Sequence, residues 1–399
     1  MTTHTHPVDP GATPTGARAL APDLARGGML LLIALANVHA YGYGHSLGPR
    51  GYPREVSGVD SVVALLQVLL VDGRAYPLFG LLFGYGIVQL TRRRTTAGRA
   101  ADSVVGLVRR RGAWMVAIGA VHGVLLWSAD IVGAYGLIAV LTAGLLVRGS
   151  DRALVRVAAA GTAVVTLFYA GSALALPGDP QAFPPSMAIA DPVAAAVARG
   201  VEWLTIGLPL QVLGTVAAVA AGAWAARRGV LDDPERHRPV LVRVAVAGLA
   251  AAVLGGLPLA LMTAGYWTSP PLPALLAAGS LHALGGYLGG AGYAALFGLL
   301  AIRVAGRGGP GPVTAALQAC GQRSLSCYLA QSVAFVALFP AWTLGLGADA
   351  HLWQLALAAA LTWLVILLIA VATARAGLRG PAETLLRRLT YGPRRPARA

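Results

Sequence analysis

The chain has 399 residues, of which 56% are apolar and only 12% charged. An ordinary soluble domain is roughly one-quarter charged, so too few polar side chains are present to clothe a water-soluble globule, and hydrophobicity this high excludes a disordered chain. The formal charge of +15 comes from 31 basic residues, all arginine, against 16 acidic ones. A polytopic membrane protein is the expectation, and in such a chain positive charge is read by its position between apolar segments before it is read as a nucleic-acid signal.

Residues 1–20, MTTHTHPVDPGATPTGARAL, are rich in Thr, Pro and Gly and read as a disordered leader. They lack the basic start and short apolar core of a cleaved signal, and His4 and His6 read as solvated tail residues. Residues 21–390 read as a single transmembrane helical domain, and 391–399 as a basic tail. A spanning helix needs about 20 mostly apolar residues. Ten segments qualify, near 27–44, 61–90, 112–129, 131–148, 154–176, 201–226, 241–264, 275–302, 324–344 and 352–375. Asp72-Gly73-Arg74 and Pro77 interrupt the second, which predicts a helix break near residue 73. The expected fold is all-α, a bundle of about ten spans. Cys320 and Cys327 lie seven residues apart, about 10 Å along a single helix. That is beyond the reach of a disulfide, and the pair has no metal-ligand spacing.

With ten spans, 27 arginines fall on one side, three (Arg50, Arg54 and Arg199) on the other, and Arg74 within a span. The positive-inside rule then puts both termini in the cytoplasm of a multi-pass protein of the cell membrane. It also accounts for the net charge through topology and anionic inner-leaflet lipid.

Ionisable side chains inside a bilayer are expensive and are functional-site hypotheses by default. Most here fall toward the arginine-poor side. His39 and His45 end the first span, and Asp72 and Arg74 interrupt the second. His122 lies within the third, in GAVHGVLLWSADIVGAYG, and Asp130 follows at the next turn. Glu202 opens the sixth span, His282 lies in the eighth and Gln331 in the ninth. Each has a structural alternative. Asp72 and Arg74 pair with each other or with a neighbouring helix. Asp130 caps the fourth span, and a histidine in a span hydrogen-bonds a facing helix. His39 and His45 sit at the wet interface, and His237 and His351 are loop residues. The glycines of GLLFGYG and GGYLGGAGY read as helix-packing positions. No Walker-type phosphate loop, HExxH or carboxylate cluster is present. What remains is a histidine general base polarised by a carboxylate such as Asp130. It suits either deprotonation of a hydroxyl or amine attacking a thioester, or a proton relay in a transporter.

Five segments, in order, carry a family resemblance. PDLARGGMLLLIALANVHA has a D-x-x-R-G opening in Asp23, Arg26 and Gly27, with Asn37 further on. YPLFGLLFGYG, RRRGAWMVAIGAVHGVLLWSADIVGAYG, GQRSLSCYLAQS and GLRGPAETLLRRLTYG follow. Together they resemble the motifs of the YeiB-like family (domain of unknown function 418) over nearly the whole chain. The departures are Gly28 where an aromatic is usual, Ser326-Cys327 for Thr-Asn, and Thr384-Leu385 for Trp-Leu. The opening motif is also similar to that of integral membrane acyltransferases. In the acyltransferase-3 family a catalytic His stands eleven residues after the Arg. In the heparan-α-glucosaminide N-acetyltransferase family that position is Asn, as it is here at Asn37.

The activity this implies is transmembrane acyl transfer from cytosolic acyl-CoA (acetyl-CoA) to an outer-side hydroxyl or amine of a cell-envelope glycan, lipid or small metabolite. His122 is the expected general base and Asp130 its orienter, followed by His45 and His39. Asn37 and Gln331 are expected to hydrogen-bond donor or acceptor. Arg26 and the arginines at 109–111 are expected to face CoA phosphates through bidentate forks, with positive-inside topology as their alternative. Asp23, Asp72, Arg74, Glu202, His282 and Glu383 complete the expected binding residues. No metal or nucleic acid is implied. The bilayer is a partner in itself, and homo-oligomerisation is left open. The rival class is a transporter or exporter of a small polar or lipidic solute. A third class is a non-catalytic membrane assembly factor, for which no single polar residue is essential.

Overall fold

A computed structural model describes residues 19–174, 178 and 180–392. The leader up to residue 18, with His4 and His6, and the tail from 393 lie outside the described residues. The described chain is helical, with isolated bridges but no named strand. In order its helices are α1 (Leu20–Val38), α2 (Val59–Leu70), α3 (Ala75–Thr96), α4 (Ala101–Leu125), α5 (Ile131–Arg148), α6 (Asp151–Phe168) and α7 (Pro192–Glu202). There follow α8 (Leu208–Arg227), α9 (Arg238–Thr263), α10 (Leu272–Ala305), α11 (Pro312–Gly321), α12 (Ser324–Leu338), α13 (Leu352–Arg375) and α14 (Pro381–Tyr391).

Local chemistry sets several boundaries. Ser150 caps α6 by accepting from Ala153 N at 3.2 Å, and Asp191 caps α7 from Ala194 N at 2.7 Å, with Pro192 in the first turn where its missing N–H is harmless. The second span breaks where expected. Its helix stops at Leu70, Gly73 takes a left-handed φ of +77°, and α3 restarts at Ala75. A one-turn π-helix, Trp203–Gly207, joins α7 to α8.

Among the described residues eight helical stretches are long and apolar enough to cross a membrane. Each of the ten expected segments overlaps helix among the described residues, but two fall outside that group. The α4 helix carries Arg109, Arg110 and Arg111 in its middle, and α12 has only 15 residues. The latter is short because the chain turns at Gln322–Arg323, so Cys320 and Cys327 sit on successive helices, α11 and α12, and not on one helix. Both are free thiols.

Without a hydrophobic difference between lipid and side chain, these helices associate by close packing of small residues. Several glycines bear this role. A Cβ on Gly84 would collide with the Val219 carbonyl and one on Gly222 with the Leu81 carbonyl, so α3 and α8 touch backbone to backbone. Gly248 and Gly292 do the same for α9 and α10. The D-x-x-R-G opening is another such contact. Gly27 rests on the Leu317 carbonyl and Gly321 on the Asp23 carbonyl, locking α1 to α11.

The loops gather at two ends. At the arginine-rich end Arg92 pairs with Asp232 at 3.4 Å, Arg148 with Asp102, and Arg227 and Arg228 with Asp151 at 3.2 and 3.0 Å. At the other end Tyr43 N donates to Gly347 O at 3.0 Å, Ala341 N to Met187 O at 3.0 Å, and His351 pairs with Asp60 at 3.0 Å. This grouping is the one that alternating spans require.

Candidate functional site

The arginine-poor half of the bundle holds two buried polar clusters. The first is built from the end of α4, the start of α5 and the middle of α12. Asp130 is the N-cap of α5, and its carboxylate accepts from Val132 N at 3.1 Å and Gly133 N at 2.5 Å. The same carboxylate meets His122 Nδ1 at 2.8 Å, with both side chains essentially inaccessible. A carboxylate that already accepts from two backbone N–H groups takes its third hydrogen bond from Nδ1–H, and Nε2 is the ring nitrogen left over. That nitrogen has no partner among the described residues. Capping and histidine orientation, read from sequence as alternatives for Asp130, are therefore performed by one carboxylate.

Small and aromatic residues shape this pocket. Gly119 and Gly133 leave room for the Asp130 oxygens, and the Trp203 indole of the π-helical turn lies against Gly123. The Tyr328 ring stands 5.2 Å from the His122 imidazole, and Trp127 stacks on Tyr41 at 4.5 Å. Among the described residues the Tyr328 hydroxyl and the Trp127 and Trp203 indole nitrogens are buried without hydrogen-bond partners, as is Gln331 Oε1. Gln331 uses its amide nitrogen to donate to Leu30 O at 2.9 Å. Tyr328, Trp127 and Trp203 escaped the sequence reading. Tyr328 sits inside the GQRSLSCYLAQS segment, three residues before Gln331, and Trp127 lies between His122 and Asp130. Those positions were the available signals.

The second cluster joins the 42–58 loop, the α2–α3 break and α10. Asp72 does not pair with the Arg74 guanidinium, as one sequence alternative had it. Its carboxylate takes a two-pronged contact from Arg50, Nη2 to Oδ1 at 2.8 Å together with a shorter Nε contact. Burial alone works against the Arg50 charge, but the Asp72 carboxylate outweighs it and holds the pKa above the ordinary arginine value. Arg50 adopts a left-handed φ of +57° and lies over the Tyr169 ring. Arg74, fully buried, donates instead to the carbonyls of Asp72 and Ala252 and to His282 Nδ1 at 3.0 Å. It thereby staples the helix break to α9 and α10. His282 Nε2 stands 4.0 Å from Asp72. His39 belongs here too, stacked on Tyr52 at 4.1 Å with Nε2 near the Arg50 carbonyl at 3.4 Å.

The remaining expected residues scatter. Glu202 accepts from Ser186 N at 2.8 Å and Ser186 Oγ at 2.7 Å, anchoring the loop before α7. His45 is half-buried in the 42–58 loop, and Asn37 is half-buried with no side-chain hydrogen bond among the described residues. Asp23 and Arg26 lie at the arginine-rich end, 3.3 Å apart, where Arg26 also donates to Leu82 O at 3.3 Å. Glu383 acts from α14. Its carboxylate accepts from Leu325 N at 2.8 Å, Ser326 N at 3.2 Å and Ser326 Oγ, so it caps α12 from α14 and is fully engaged in that task. Buried Arg199, outside the expected set, donates Nε to Val124 O at 2.9 Å and covers the Trp342 ring at 4.3 Å.

Residues 225–393 match the family model described as "Protein of unknown function (DUF418)". An uncharacterized protein YeiB of Escherichia coli (strain K12) is 31% identical over 126 residues, which is 31% of this chain and 30% of that protein. The aligned stretch thus spans less than one-third of the relative. His282, Gln331 and Glu383 fall inside the region matched by the family model, whereas Asn37, Asp72, His122 and Asp130 precede it.

Proposed function

The chain is a YeiB-like protein of the DUF418 family, matched over residues 225–393, and on that premise we propose that it is an integral membrane acyltransferase of the cell membrane with both termini cytoplasmic. It moves an acetyl-type acyl group from cytosolic acyl-CoA to a hydroxyl or amine acceptor presented from the outer side. The observation that carries this reading is the His122–Asp130 dyad, with Nδ1 held by the carboxylate and a buried Nε2 left without a partner among the described residues. A carboxylate that fixes tautomer and ring orientation is what a histidine general base needs.

In the proposed reaction Nε2 takes the proton of the acceptor O–H or N–H as that atom attacks the thioester carbonyl. A C–O or C–N bond forms, the C–S bond breaks, and the imidazolium returns the proton to the CoA thiolate. Asp130 stabilises the transient imidazolium. The buried Tyr328 hydroxyl and Gln331 Oε1, both without partners among the described residues, supply polar contacts to the reacting groups. Of the arginines expected to meet CoA phosphates, Arg26 is engaged with Asp23 and Leu82 O, while Arg109 and Arg110 are exposed. The phosphate contact is therefore assigned to the latter two.

The test is acyl-CoA binding to detergent-purified protein. A ligand that binds only the folded state raises apparent stability by RT ln(1 + [L]/Kd). Acetyl-CoA should give a concentration-dependent thermal shift, and His122→Ala should keep that shift while losing transfer. Absence of a shift with any acyl-CoA overturns the reading. It would favour transport of a small solute, for which the broken α2–α3 helix and its buried Asp72 are the supporting feature. Solute flux in proteoliposomes without acyl-CoA then becomes the decisive measurement.

A further inference from the structure

Helices α9 and α10 pack side by side, and at the arginine-rich end a groove of about 620 Å³ opens between them. Arg238, the first residue of α9, and Arg303, in the last turn of α10, stand at its mouth. Behind them the lining is aliphatic and includes Val242, Leu296, Leu299 and Leu300. Leu296 lies seven residues before Arg303, so the apolar floor extends about 10 Å along the helix axis from the charged rim. Val242 and Leu296 are 44% and 45% exposed, which makes this an outer face of the bundle. Arg92, Arg148, Arg227 and Arg228, at the same end, each meet an aspartate. Neither the Arg238 nor the Arg303 guanidinium has an ion pair or hydrogen bond among the described residues.

We propose that this groove is a binding site for one anionic phospholipid of the leaflet facing the arginine-rich end. The lipid phosphate sits between Arg238 and Arg303, and an acyl chain follows Leu299 and Leu296 toward the membrane interior. Charge complementarity selects the headgroup, since guanidinium forks suit phosphate oxygens and basic pockets between spans at the cytoplasmic side suit anionic headgroups. The aliphatic run selects a lipid over a soluble anion, which would use the arginines and leave the floor bare. The site is independent of the acyl-transfer reading, because no residue of the His122 pocket lines it.

Native mass spectrometry of the full-length protein, with phosphatidylglycerol or phosphatidylcholine added at equal concentration, tests the site. Phosphatidylglycerol should be retained preferentially. The double variant Arg238→Gln/Arg303→Gln should weaken that retention by about 30-fold, taking roughly 1 kcal/mol per arginine near an anionic surface. Val242→Trp, which fills the groove without altering charge, should also reduce it. The charge-matched control Arg375→Gln/Arg388→Gln should stay within about twofold of the parent. Equal retention of the two lipids overturns the proposal. So does an equal loss in the control pair, which would mean diffuse surface charge, or full competition by inorganic phosphate, which would mean a soluble-anion site.

Discussion

Asp130 and Asp72 are both buried carboxylates at the arginine-poor end of the bundle, and they meet the low dielectric by different means. Asp130 is satisfied by two backbone N–H groups at a helix N-terminus and by the His122 imidazole. Asp72 is satisfied by the Arg50 guanidinium, and Arg74 adds a second positive charge that is met only by carbonyls and His282. In the first cluster His122 Nε2 is left unengaged among the described residues. In the second, the charged groups join a loop, a helix break and two further helices, while His39 Nδ1, the Tyr52 hydroxyl and Arg74 Nε are buried without partners among the described residues. The lesson is that burial and charge alone do not separate a reactive site from a structural one. What differs is how the leftover group is held: the other nitrogen of His122 is fixed by a carboxylate, whereas that of His39 meets a backbone carbonyl.

That difference is open to attack at the carboxylates. Asp72→Ala leaves Arg50 and Arg74 as uncompensated buried charges and should destabilise the protein by about 3–5 kcal/mol, the usual consequence of removing one member of a buried pair. Adding Arg50→Ala to the same chain should restore part of the loss, and thermal unfolding in detergent reads both. A double variant no better than the single one would break the assignment of Asp72 to Arg50. Asp130→Asn should behave in the opposite sense. An amide oxygen still caps α5, so stability should fall by only about 1 kcal/mol. The imidazole loses the carboxylate that fixes its tautomer, and acyl transfer should drop by about 10²–10⁴-fold, as for His122→Ala. Parallel losses of stability and activity would place Asp130 with Asp72 as a structural residue.

Sequence made the first cluster more legible than the second. His122 and Asp130 are eight residues apart across one helix end and one turn, so local geometry nearly forces their meeting. The break at Gly73 and the grouping of arginines were also readable, because helix interruption and charge asymmetry are local or one-dimensional signals. Arg50 was not, since it reaches Asp72 from 22 residues away through a loop whose left-handed backbone no pattern announces. Nor was the capping role of Glu383, which needs α14 to fold back onto the start of α12, a relation of 58 residues. Tyr328 faces His122 only after α12 is placed against α4 and α5, and a lone tyrosine on an apolar helix carries no period to mark that direction.

Two smaller effects sharpen the contrast at the periphery. Glu383→Ala frees the Leu325 and Ser326 N–H groups and should lower stability by about 1–2 kcal/mol, with acyl-CoA binding unchanged when thermal shift is compared at matched distance from the melting point. A loss of binding would return Glu383 to the site from which its hydrogen bonds remove it.

His45 offers the smallest effect and a defined sign. Burial lowers its pKa from 6.5, with Asp349 and Asp60 opposing that shift in part. The unfolded chain therefore takes up the proton first as pH falls, and the folded state loses stability as pH drops below about 6.5. Replacing His45 by Gln removes one group that binds more protons unfolded than folded. The melting temperature of His45→Gln should consequently fall less between pH 7.5 and 5.5 than that of the parent, while the two converge at pH 7.5 and above. A steeper acid slope in the variant would mean that Asp349 and Asp60 dominate and that protonated His45 is the form the loop prefers. The 42–58 loop, which also delivers Arg50 to Asp72, would then tighten in acid, and the second cluster would be coupled to pH through its own loop.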